Sequence, residues 1–419
     1  MIKLIKELFP INRSILGPGI SESLNILKKY NNKIIIKKIN SGTKVFDWIV
    51  PNEWICKKAY IEDENGKKIL DFKDNNLHLV GYSRKIKTTL KYDDLSKKLH
   101  YLKSKPNLIP FVTSYYKKDW GFCIKYNQFK NLDKKIDYKV HIDSKFTPGS
   151  LKYGEIYIKG KTKKEFIFTS YLCHPSMVNN ELAGPAILLN LAKILQLKSN
   201  NYSYRILFIP ETIGSIAYLS KKLDFLKKNM IYGFVITCIG DNSNFSYIKS
   251  KYDDTSINFD LNSFFCSLGI KHKVKNWTED RSDSRQFNSN NIDLQFATIT
   301  RSGPGEYFSY HTSGDLLGKV VSKKNLKESL NLLKYLCNTL EKKFFPFSKV
   351  SCEPFLQRYN LYSHISKDQS VSSDKRLLRN FLAFCNGKNS IDFISSKINC
   401  KKSKTIEVYK LLKRKKLVV

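Results

Sequence analysis

The sequence predicts an α/β protein with a mostly parallel sheet flanked by helices, an inserted all-β domain and a small helical domain at the carboxyl end. Three observations predict this fold class. Apolar strands alternate with amphipathic helices from about residue 154, short alternating strands fill residues 54–149, and short amphipathic helices occupy the end of the chain. Strand–helix alternation is typical of a parallel sheet covered by helices.

The amino-terminal segment predicts two helices and one strand. A first helix is followed by a loop with Gly17, Pro18 and Gly19, then by a second helix over residues 21–30 and a strand over residues 33–38. Glycine and proline mark the loop because they favour turns over helix interiors. We expect this segment to join the α/β domain that resumes later in the chain.

Residues 54–149 change in character and predict an inserted all-β domain. A hairpin is predicted for the run AYIEDENGKKILDF, with its turn at residues 64–66. Asn-Gly between alternating apolar residues is a strong hairpin signal. Further short strands are predicted for the runs LHLVGYS and FVTSYY.

Strands and helices alternate from Gly154 onward. The predicted strands are EIYIKG, EFIFTSYL, YRILFIP and YGFVITCIG, and the predicted helices are AGPAILLNLAKIL and SIAYLSKKLDFL. The carboxyl ends of parallel strands share one edge of a sheet, where reactive groups belong. This pattern predicts one α/β domain made of residues 1–53 and 150–348.

Residues 349–419 predict a separate domain of the winged helix-turn-helix type. Short amphipathic helices are predicted over residues 377–385, 391–398 and 405–413, and the run KKLVV is predicted as a closing strand. The periodicity of the apolar residues favours helices of this length.

The composition limits the class of protein. Lys and Arg total 73 against 37 Asp and Glu, a net charge of +36, but these residues are spread along the whole chain. We interpret the charge as a basic surface of compositional origin rather than a site for nucleic acid.

The cysteines and the amino terminus indicate a reducing compartment. Nine cysteines occur at irregular spacings without a C-x-x-C pair, which predicts neither a disulfide framework nor a cysteine zinc site. The first residues lack the pattern of a signal peptide, and no apolar window is long enough to span a membrane. We expect a cytoplasmic protein with no membrane partner.

Three places put polar residues with catalytic potential after predicted strands. His174 follows one strand and precedes Glu181 at a helix start, Glu211 ends the strand RILFIP, and His311 lies in the loop GEYFSYHTSGD. Imidazole and carboxylate groups are zinc donors, and a carboxylate against apolar walls suits a general base. Taken singly, each has a bland alternative: a hydrogen-bonded histidine, or a carboxylate that caps a helix.

Together these places resemble the co-catalytic zinc aminopeptidase and carboxypeptidase superfamily. More closely, LFPINRSI, SGTKVFDWIVPNEW, SYLCHPSMVNNELAG, DRSDSRQF, SGPGEYFSYHTSGD and EPFLQRYNLY make the chain similar to bacterial aminopeptidase-like proteins of polysaccharide-biosynthesis clusters. The resemblance implies a zinc-aminopeptidase-like (phosphorylase/hydrolase-type) domain with an inserted β domain and a carboxyl-terminal winged helix.

The sequence departs from the superfamily at several metal ligands. Asn180 stands where the two-zinc enzymes carry a bridging Asp, Thr212 where they carry a second Glu, and Thr237 and Cys238 where they carry a further Asp. Two zinc ions without bridging negative charge would repel each other. We therefore expect one Zn²⁺ rather than two.

The resemblance implies roles for individual residues. One zinc ion is expected on His174, Glu181 and His311, with Glu211 as general base and Tyr310 as a group that steadies the oxyanion. Each of the latter assignments competes with a structural hydrogen bond. The residues implied to lie near the substrate are Asn180, Asp283, Arg285, Gln286, Glu306 and Tyr307.

The predicted function is zinc-dependent hydrolysis of an amide bond, in a peptide terminus or an N-acyl sugar, linked to surface polysaccharide biosynthesis. The expected partners are therefore a small molecule, a peptide or an amino sugar, and self-association into a homo-oligomer is left open. Two alternatives remain: a degenerate peptidase-like protein that binds zinc or a ligand without turnover, and a nucleic-acid-binding protein that uses its winged helix.

Overall fold

The computed structural model describes residues 1–115, 117–361 and 373–419. Its α-helices are α1 (Ile2–Leu8), α2 (Pro18–Tyr30), α3 (Tyr92–Ser96), α4 (Tyr126–Lys130), α5 (Ala183–Gln196), α6 (Ile213–Asn229), α7 (Ser256–Ser267), α8 (Ser284–Phe287), α9 (Lys323–Leu340), α10 (Ser373–Phe384), α11 (Ile391–Lys397) and α12 (Lys402–Arg414). Its β-strands are β1 (Ile35–Asn40), β2 (Lys44–Val45), β3 (Trp48–Ile49), β4 (Glu53–Glu62), β5 (Lys68–Asp71), β6 (Ile86–Lys91), β7 (Leu99–His100), β8 (Phe122–Cys123), β9 (Asp137–Thr147), β10 (Ser150–Ile158), β11 (Glu165–Tyr171), β12 (Ser203–Ile209), β13 (Met230–Ile236), β14 (Phe245–Ile248), β15 (His272–Lys275) and β16 (Phe296–Thr300).

The central sheet is mixed and has the strand order β1-β10-β12-β11-β13-β16-β14-β15. β11 runs parallel to both β12 and β13, and β13 runs parallel to β16. β1 and β10 extend one side antiparallel, and β14 pairs antiparallel with β16. Every residue of β11, β12 and β13 is buried, because apolar layers cover both faces of the sheet. The predicted α/β fold with a large sheet flanked by helices is confirmed.

The second helix begins earlier than the sequence predicted. Pro18 and Gly19 were predicted in a loop, but α2 starts at Pro18, where the missing amide hydrogen costs no helical bond. A β-carbon at Gly19 would lie 1.9 Å from the carbonyl oxygen of Asn12. Glycine is therefore needed there for the close approach of helix and loop.

The inserted segment contains the four-stranded antiparallel sheet β5-β4-β9-β6. The hairpin of β4 and β5 is confirmed, and its turn contains Gly66 at φ 80°. β4 begins at Glu53, and β9 ends at Thr147, shortly before β10 returns the chain to the central sheet. The domain boundaries themselves stay predictions, because one apolar cluster runs continuously from this sheet into the core beside α6.

The runs LHLVGYS and FVTSYY do not form the ladder strands that the sequence predicted. A 3-10 helix at Asn76–His78 overlaps the start of the first run, and among the described residues the β-pairing of the two runs is one isolated bridge of Gly81 with Thr113. Leu77 and Val80 of the first run instead fill a small separate core, and Phe111 and Val112 of the second run pack against it. The alternation of apolar residues therefore indicated buried side chains here rather than strand pairing.

The carboxyl-terminal helices α10, α11 and α12 pack around their own apolar cluster. The predicted closing strand is absent among the described residues: Val418 forms one isolated bridge with Ser348. A polar network joins this part to the α/β core, because Lys343 Nζ lies 2.8 Å from both Asp260 Oδ1 and Asp392 Oδ2. Within the described residues, no helix combines the length and apolarity needed to cross a membrane.

Candidate active site

The carboxyl ends of β12, β11 and β13 meet at one edge of the central sheet. Because these strands are adjacent and parallel, the residues that follow them are brought together. His174 follows β11, Glu211 follows β12 and Thr237 follows β13. This edge is the floor of the candidate site.

His174 is held from behind by a buried carboxylate. Its Nδ1 atom lies 2.9 Å from Glu181 Oε2, and Glu181 Oε1 accepts a hydrogen bond from the backbone N–H of Cys173. Arg13 Nε donates to the carbonyl oxygen of His174 at 3.0 Å and lies 3.9 Å from Glu181 Oε1. A carboxylate only accepts hydrogen bonds, so Nδ1 donates to Glu181. The other ring nitrogen, Nε2, faces away from Glu181.

Glu181 owes its position to an irregular turn. Residues Val178–Leu182 form a π-helical turn directly before α5, and Glu181 is buried within it. Such turns are rare and concentrate at functional sites. Asp315 fixes the turn, because its carboxylate accepts hydrogen bonds from the backbone N–H groups of Asn179 at 2.8 Å and Asn180 at 2.9 Å.

Glu211 faces the second nitrogen of His174. Its Oε2 atom lies 3.7 Å from His174 Nε2, and 24% of its side chain is exposed. Ser282 Oγ donates to Glu211 Oε1 at 3.2 Å, and the backbone N–H of Glu211 donates to Cys173 Sγ at 3.3 Å. Burial raises the pKa of Glu211 to about 7, against the opposing effect of His174.

His311 approaches from a separate loop. Its ring centroid lies 5.4 Å from that of His174, and the Phe111 ring lies beside both, at 4.9 Å from His174 and 5.3 Å from His311. The Tyr310 ring stacks on His311 at 4.0 Å. His311 has φ 52°, and its carbonyl oxygen accepts a hydrogen bond from Phe111 N–H at 2.9 Å.

The two imidazoles differ in their electrostatic environment. Burial lowers the pKa of His311 to about 3, helped by His174 and Lys105. Burial also opposes a charge on His174, but Cys173 and Glu181 outweigh it and raise its pKa well above the ordinary value. His311 is therefore neutral at physiological pH, the form that can bind a metal ion.

Asp283 supports the site from below. Its Oδ1 atom accepts a hydrogen bond from the backbone N–H of Thr212 at 2.8 Å, which holds Thr212 at φ 62°. Burial, followed by the neighbouring charge of Glu211, raises the pKa of Asp283 to about 8. Asp283 thus fixes the turn that carries Glu211, and its side chain is fully buried.

A cleft of about 340 Å³ opens above His174, Glu211 and His311. Parts of the chain that are far apart in sequence form its walls: Trp48 and Ile49 of β3, Phe111 and Thr113 of the inserted segment, and Ile213 at the start of α6. This volume lies at the lower end of the range for small-molecule sites.

Comparison with known proteins identifies the family. The family model described as "Domain of unknown function (DUF4910)" matches residues 2–343, and a winged helix-turn-helix model matches residues 346–419. The chain belongs to the DUF4910 family. A Clostridium acetobutylicum relative, provisionally named a polysaccharide biosynthesis protein with aminopeptidase-like domain, is 40% identical over 93% of this chain and 88% of its own length.

Solved structures agree with this placement of the DUF4910 chain. A Clostridium acetobutylicum crystal structure, provisionally described as a peptidase, is 37% identical, covers 100% of this chain and 95% of its own, and has a TM-score of 0.79. The zinc aminopeptidase BSAP from Bacillus subtilis is 14% identical over 79% of this chain and 91% of its own, with a TM-score of 0.58. At that identity the likeness concerns the fold alone, which is aminopeptidase-like.

In this DUF4910 chain, neutral residues stand where a second metal ion would need carboxylates. Asn180, Thr237 and Cys238 stand at positions where the resemblance implies acidic ligands, and they form a neutral network with Tyr171. Tyr171 OH lies 2.5 Å from Thr237 Oγ1 and 3.2 Å from Asn180 Oδ1. Asn180 Nδ2 is buried without a partner among the described protein atoms, and an amide N–H cannot coordinate a cation.

The spacing of the two imidazoles is compatible with one shared zinc ion. Two imidazoles that share one tetrahedral zinc ion have ring centroids about 5 Å apart, since each Zn–N bond is about 2.0–2.1 Å. The separation of 5.4 Å between His174 and His311 is close to this value. A carboxylate behind a metal-binding histidine is also typical of zinc sites, and Glu181 occupies that position on His174.

The one tight group of three potential donors in the described part of the chain is Cys173, His174 and Glu181, whose donor atoms lie within 4.8 Å of one another. Cys173 and His174 line the cleft and Glu181 lies behind it, and hydrogen bonds within the group already use Nδ1 of His174. The predicted set of His174, Glu181 and His311 does not form such a group. The structure thus brings the two histidines together and sets Glu181 on the far side of one of them.

The other residues predicted near the substrate lie at varying depth. Tyr307 OH donates to Asp315 Oδ2 at 2.9 Å, which makes it a support of the turn at Asn180. Arg285 lies over the Trp277 ring at 4.7 Å. Glu306 pairs with Lys275 and lies outside the cleft. Tyr310 reaches the site through its stacking on His311. Gln286 is half-buried in α8.

Three contributors were not predicted as site residues: Arg13, Cys173 and Phe111. Arg13 is 1% exposed. A single arginine within an apolar run of sequence is an indication that its charge is paired inside the fold. Cys173 adjoins His174, but adjacency gave no indication of a shared hydrogen bond. Phe111 comes from the inserted segment, so only the tertiary structure relates it to the histidines.

Proposed function

We propose that the chain is a metallohydrolase that cleaves an amide bond. His174 and His311 would hold one zinc ion, and Glu211 would accept a proton from the attacking water. The observation that carries this proposal is the convergence of both imidazoles and one cleft-facing carboxylate, with Glu211 Oε2 at 3.7 Å from His174 Nε2. Zinc bound there would polarise the substrate carbonyl and acidify water.

The chain's own residues have separate tasks in this proposal. Glu181 keeps the Nδ1 proton of His174 in place, so that Nε2 is the nitrogen left to face the metal ion. Arg13 holds the backbone at His174 and balances the charge of Glu181. Glu211 is the carboxylate with access to the cleft, and Ser282 orients it through Oε1. Proton transfer by such a positioned carboxylate accelerates amide hydrolysis.

The substrate is an amide in a peptide terminus or an N-acyl sugar, and the name of the Clostridium acetobutylicum relative favours a role in polysaccharide biosynthesis. A cleft of about 340 Å³ suits a small molecule or the end of a chain rather than a folded protein. We expect the protein to act in the cytoplasm, in agreement with its unpaired cysteines.

A second candidate is a protein that binds zinc or a small ligand without turnover. The neutral side chains of Asn180, Thr212 and Thr237 at the expected metal ligands favour this alternative. Binding requires His174 and His311 but gives Glu211 no role in proton transfer. The two candidates therefore differ in what a substitution at Glu211 does.

The test compares Glu211→Gln, His174→Ala and the wild-type protein for bound zinc and for amine release from aminoacyl and N-acetyl-sugar substrates. A hydrolase is expected to lose at least 100-fold in rate with Glu211→Gln, the lower range for a general base, while zinc stays bound. His174→Ala is expected to lose the zinc. The control is Glu306→Gln, which removes an exposed carboxylate outside the cleft.

Two results would contradict the proposal. If wild-type protein binds zinc but releases no amine from any substrate of the screen, the binding alternative replaces it. If Glu211→Gln loses zinc together with activity, Glu211 is a ligand and the proton acceptor must be sought elsewhere.

A further inference from the structure

The walls of the cleft above His174 carry almost no charge. Of the described residues that line it, only His174, Glu211 and His311 are ionisable in the physiological range and potentially charged. The remaining lining is apolar, aromatic or neutral, and includes Ile15 and Phe111. A substrate group that enters the cleft therefore meets a surface of low polarity around one reactive corner.

Neighbouring carboxylates do not compensate for this, because they are occupied behind the walls. Glu181 is bonded to His174, and Asp283 accepts from the backbone N–H of Thr212. Asp280 accepts hydrogen bonds from the hydroxyl groups of Ser284 and Thr298. In the described part of the chain, none of these three carboxylates lines the cleft, so a substrate ammonium could pair only with Glu211.

Pairing of Glu211 with an ammonium would conflict with its proposed role. A carboxylate that is bound to a substrate cation is a weaker proton acceptor, since the cation stabilises its charged form. Removing an ammonium group from water without a partner is costly. A cationic substrate would therefore either bind weakly or occupy the group that the reaction needs.

The net charge of the protein acts in the same direction. With a net charge of +36, the protein repels cations over a longer range as well.

We propose that the cleft selects N-acylated amines over compounds with a free amino terminus. The acyl group would pack against Ile15 and Phe111, and its amide carbon would lie beside Glu211. This selectivity rests on the proposed function. In the reaction, the water oxygen bonds to the acyl carbon and the C–N bond breaks. Glu211 passes the proton of water to the departing nitrogen, so the products are a carboxylate and an amine.

The test uses a matched pair of probes, leucinamide and N-acetyl-leucinamide, with the zinc-loaded full-length protein at pH 6.5. The free amine is protonated at this pH, because an α-amino group has a pKa of about 7.7–8.0. Calorimetry measures binding, and release of acetate, leucine or ammonia measures hydrolysis. N-acetyl-leucinamide is expected to bind at least 10-fold more tightly than leucinamide.

Substitutions at Thr113, a neutral residue of the cleft wall, separate charge from shape. Thr113→Asp adds a carboxylate to the cleft wall. We expect it to change the ratio of the two affinities at least 10-fold in favour of leucinamide. Thr113→Asn adds a side chain of the same size without charge, and is expected to keep the preference for the acetylated probe.

Each outcome decides one of the two proposals. Equal or tighter binding of leucinamide, or binding of neither probe, overturns the selectivity for N-acylated amines, even if another amide is hydrolysed. Preferential binding of N-acetyl-leucinamide supports the selectivity. If that preference is found and no product is released, the selectivity stands and the proposed hydrolase function is contradicted for this class of amide.

Discussion

Replacing Glu181 with Gln tests whether this residue binds the metal ion or positions the histidine that does. Its carboxylate accepts from His174 Nδ1 at 2.9 Å and from the backbone N–H of Cys173, and it lies 3.9 Å from Arg13 Nε. An amide offers one oxygen in place of two. If that oxygen keeps the bond with Cys173, the NH₂ group faces Nδ1, and the imidazole must move its proton to Nε2.

The expected loss follows from this change of tautomer. A protonated Nε2 has no lone pair for zinc, and loss of such a supporting carboxylate typically lowers metal affinity about 10–100-fold. That range corresponds to about 1.4–2.7 kcal/mol of binding free energy. Stability should fall as well, because the buried Arg13 loses its counter-charge, although its hydrogen bonds to the His174 and Leu8 carbonyl oxygens remain.

The assay is zinc titration against a competing chelator, with urea unfolding of the zinc-free protein as a parallel measurement. The matched control is Glu181→Asp, which keeps the charge for Arg13 but shortens the reach to His174. Both variants should weaken zinc binding, and only Glu181→Gln should remove the charge pair. Unchanged zinc affinity in Glu181→Gln would refute the positioning role, and complete loss of zinc in a folded protein would make Glu181 a direct ligand.

Two further predictions concern stability. Gly233→Ala places a β-carbon 2.2 Å from the Phe296 ring, and we expect the unfolding free energy measured in urea to fall by about 1–3 kcal/mol. The double variant Gly233→Ala/Phe296→Leu should regain part of this loss. An unchanged unfolding free energy in Gly233→Ala would contradict this packing. Burial opposes a charge on Asp392, but Lys343 and Lys402 outweigh it and lower its pKa. Because its pKa is lower in the folded protein, the ionised carboxylate of Asp392 stabilises the fold at pH values above its ordinary pKa of 3.8. This contribution is lost as the pH falls through the folded-state pKa. The difference in unfolding free energy between wild type and Asp392→Asn should therefore shrink below about pH 4. A gap that is constant with pH would show that charge is not its cause.

Local patterns were sufficient for several of the regular elements of this protein. Mostly apolar runs identified β11, β12 and β13 because parallel strands covered on both faces have no solvent-exposed face, and the Asn-Gly turn identified the hairpin of β4 and β5. The same patterns failed at LHLVGYS and FVTSYY, where apolar alternation serves a small core without a ladder. Burial is visible in the sequence, but strand pairing depends on a distant partner.

The site shows the same division between local and distant information. Residue type and position after a strand indicated His174, Glu211 and His311, and the structure brings all three to one cleft. The ligand role predicted for Glu181 depended on which nitrogen of His174 it faces. That orientation is set by the π-helical turn and by Arg13, neither of which the local pattern predicts.

The sequence by itself determined the α/β class, the order of the strands and helices from β10 to β13 and the chemical types at the sheet edge, because periodicity and residue type are local properties. Only the tertiary structure decided that Glu181 lies behind His174, that Phe111 from the inserted segment lies beside both imidazoles, and that the cleft walls are nearly uncharged. These features require segments far apart in the chain to meet, and the positions at which they meet are fixed by packing over the whole core.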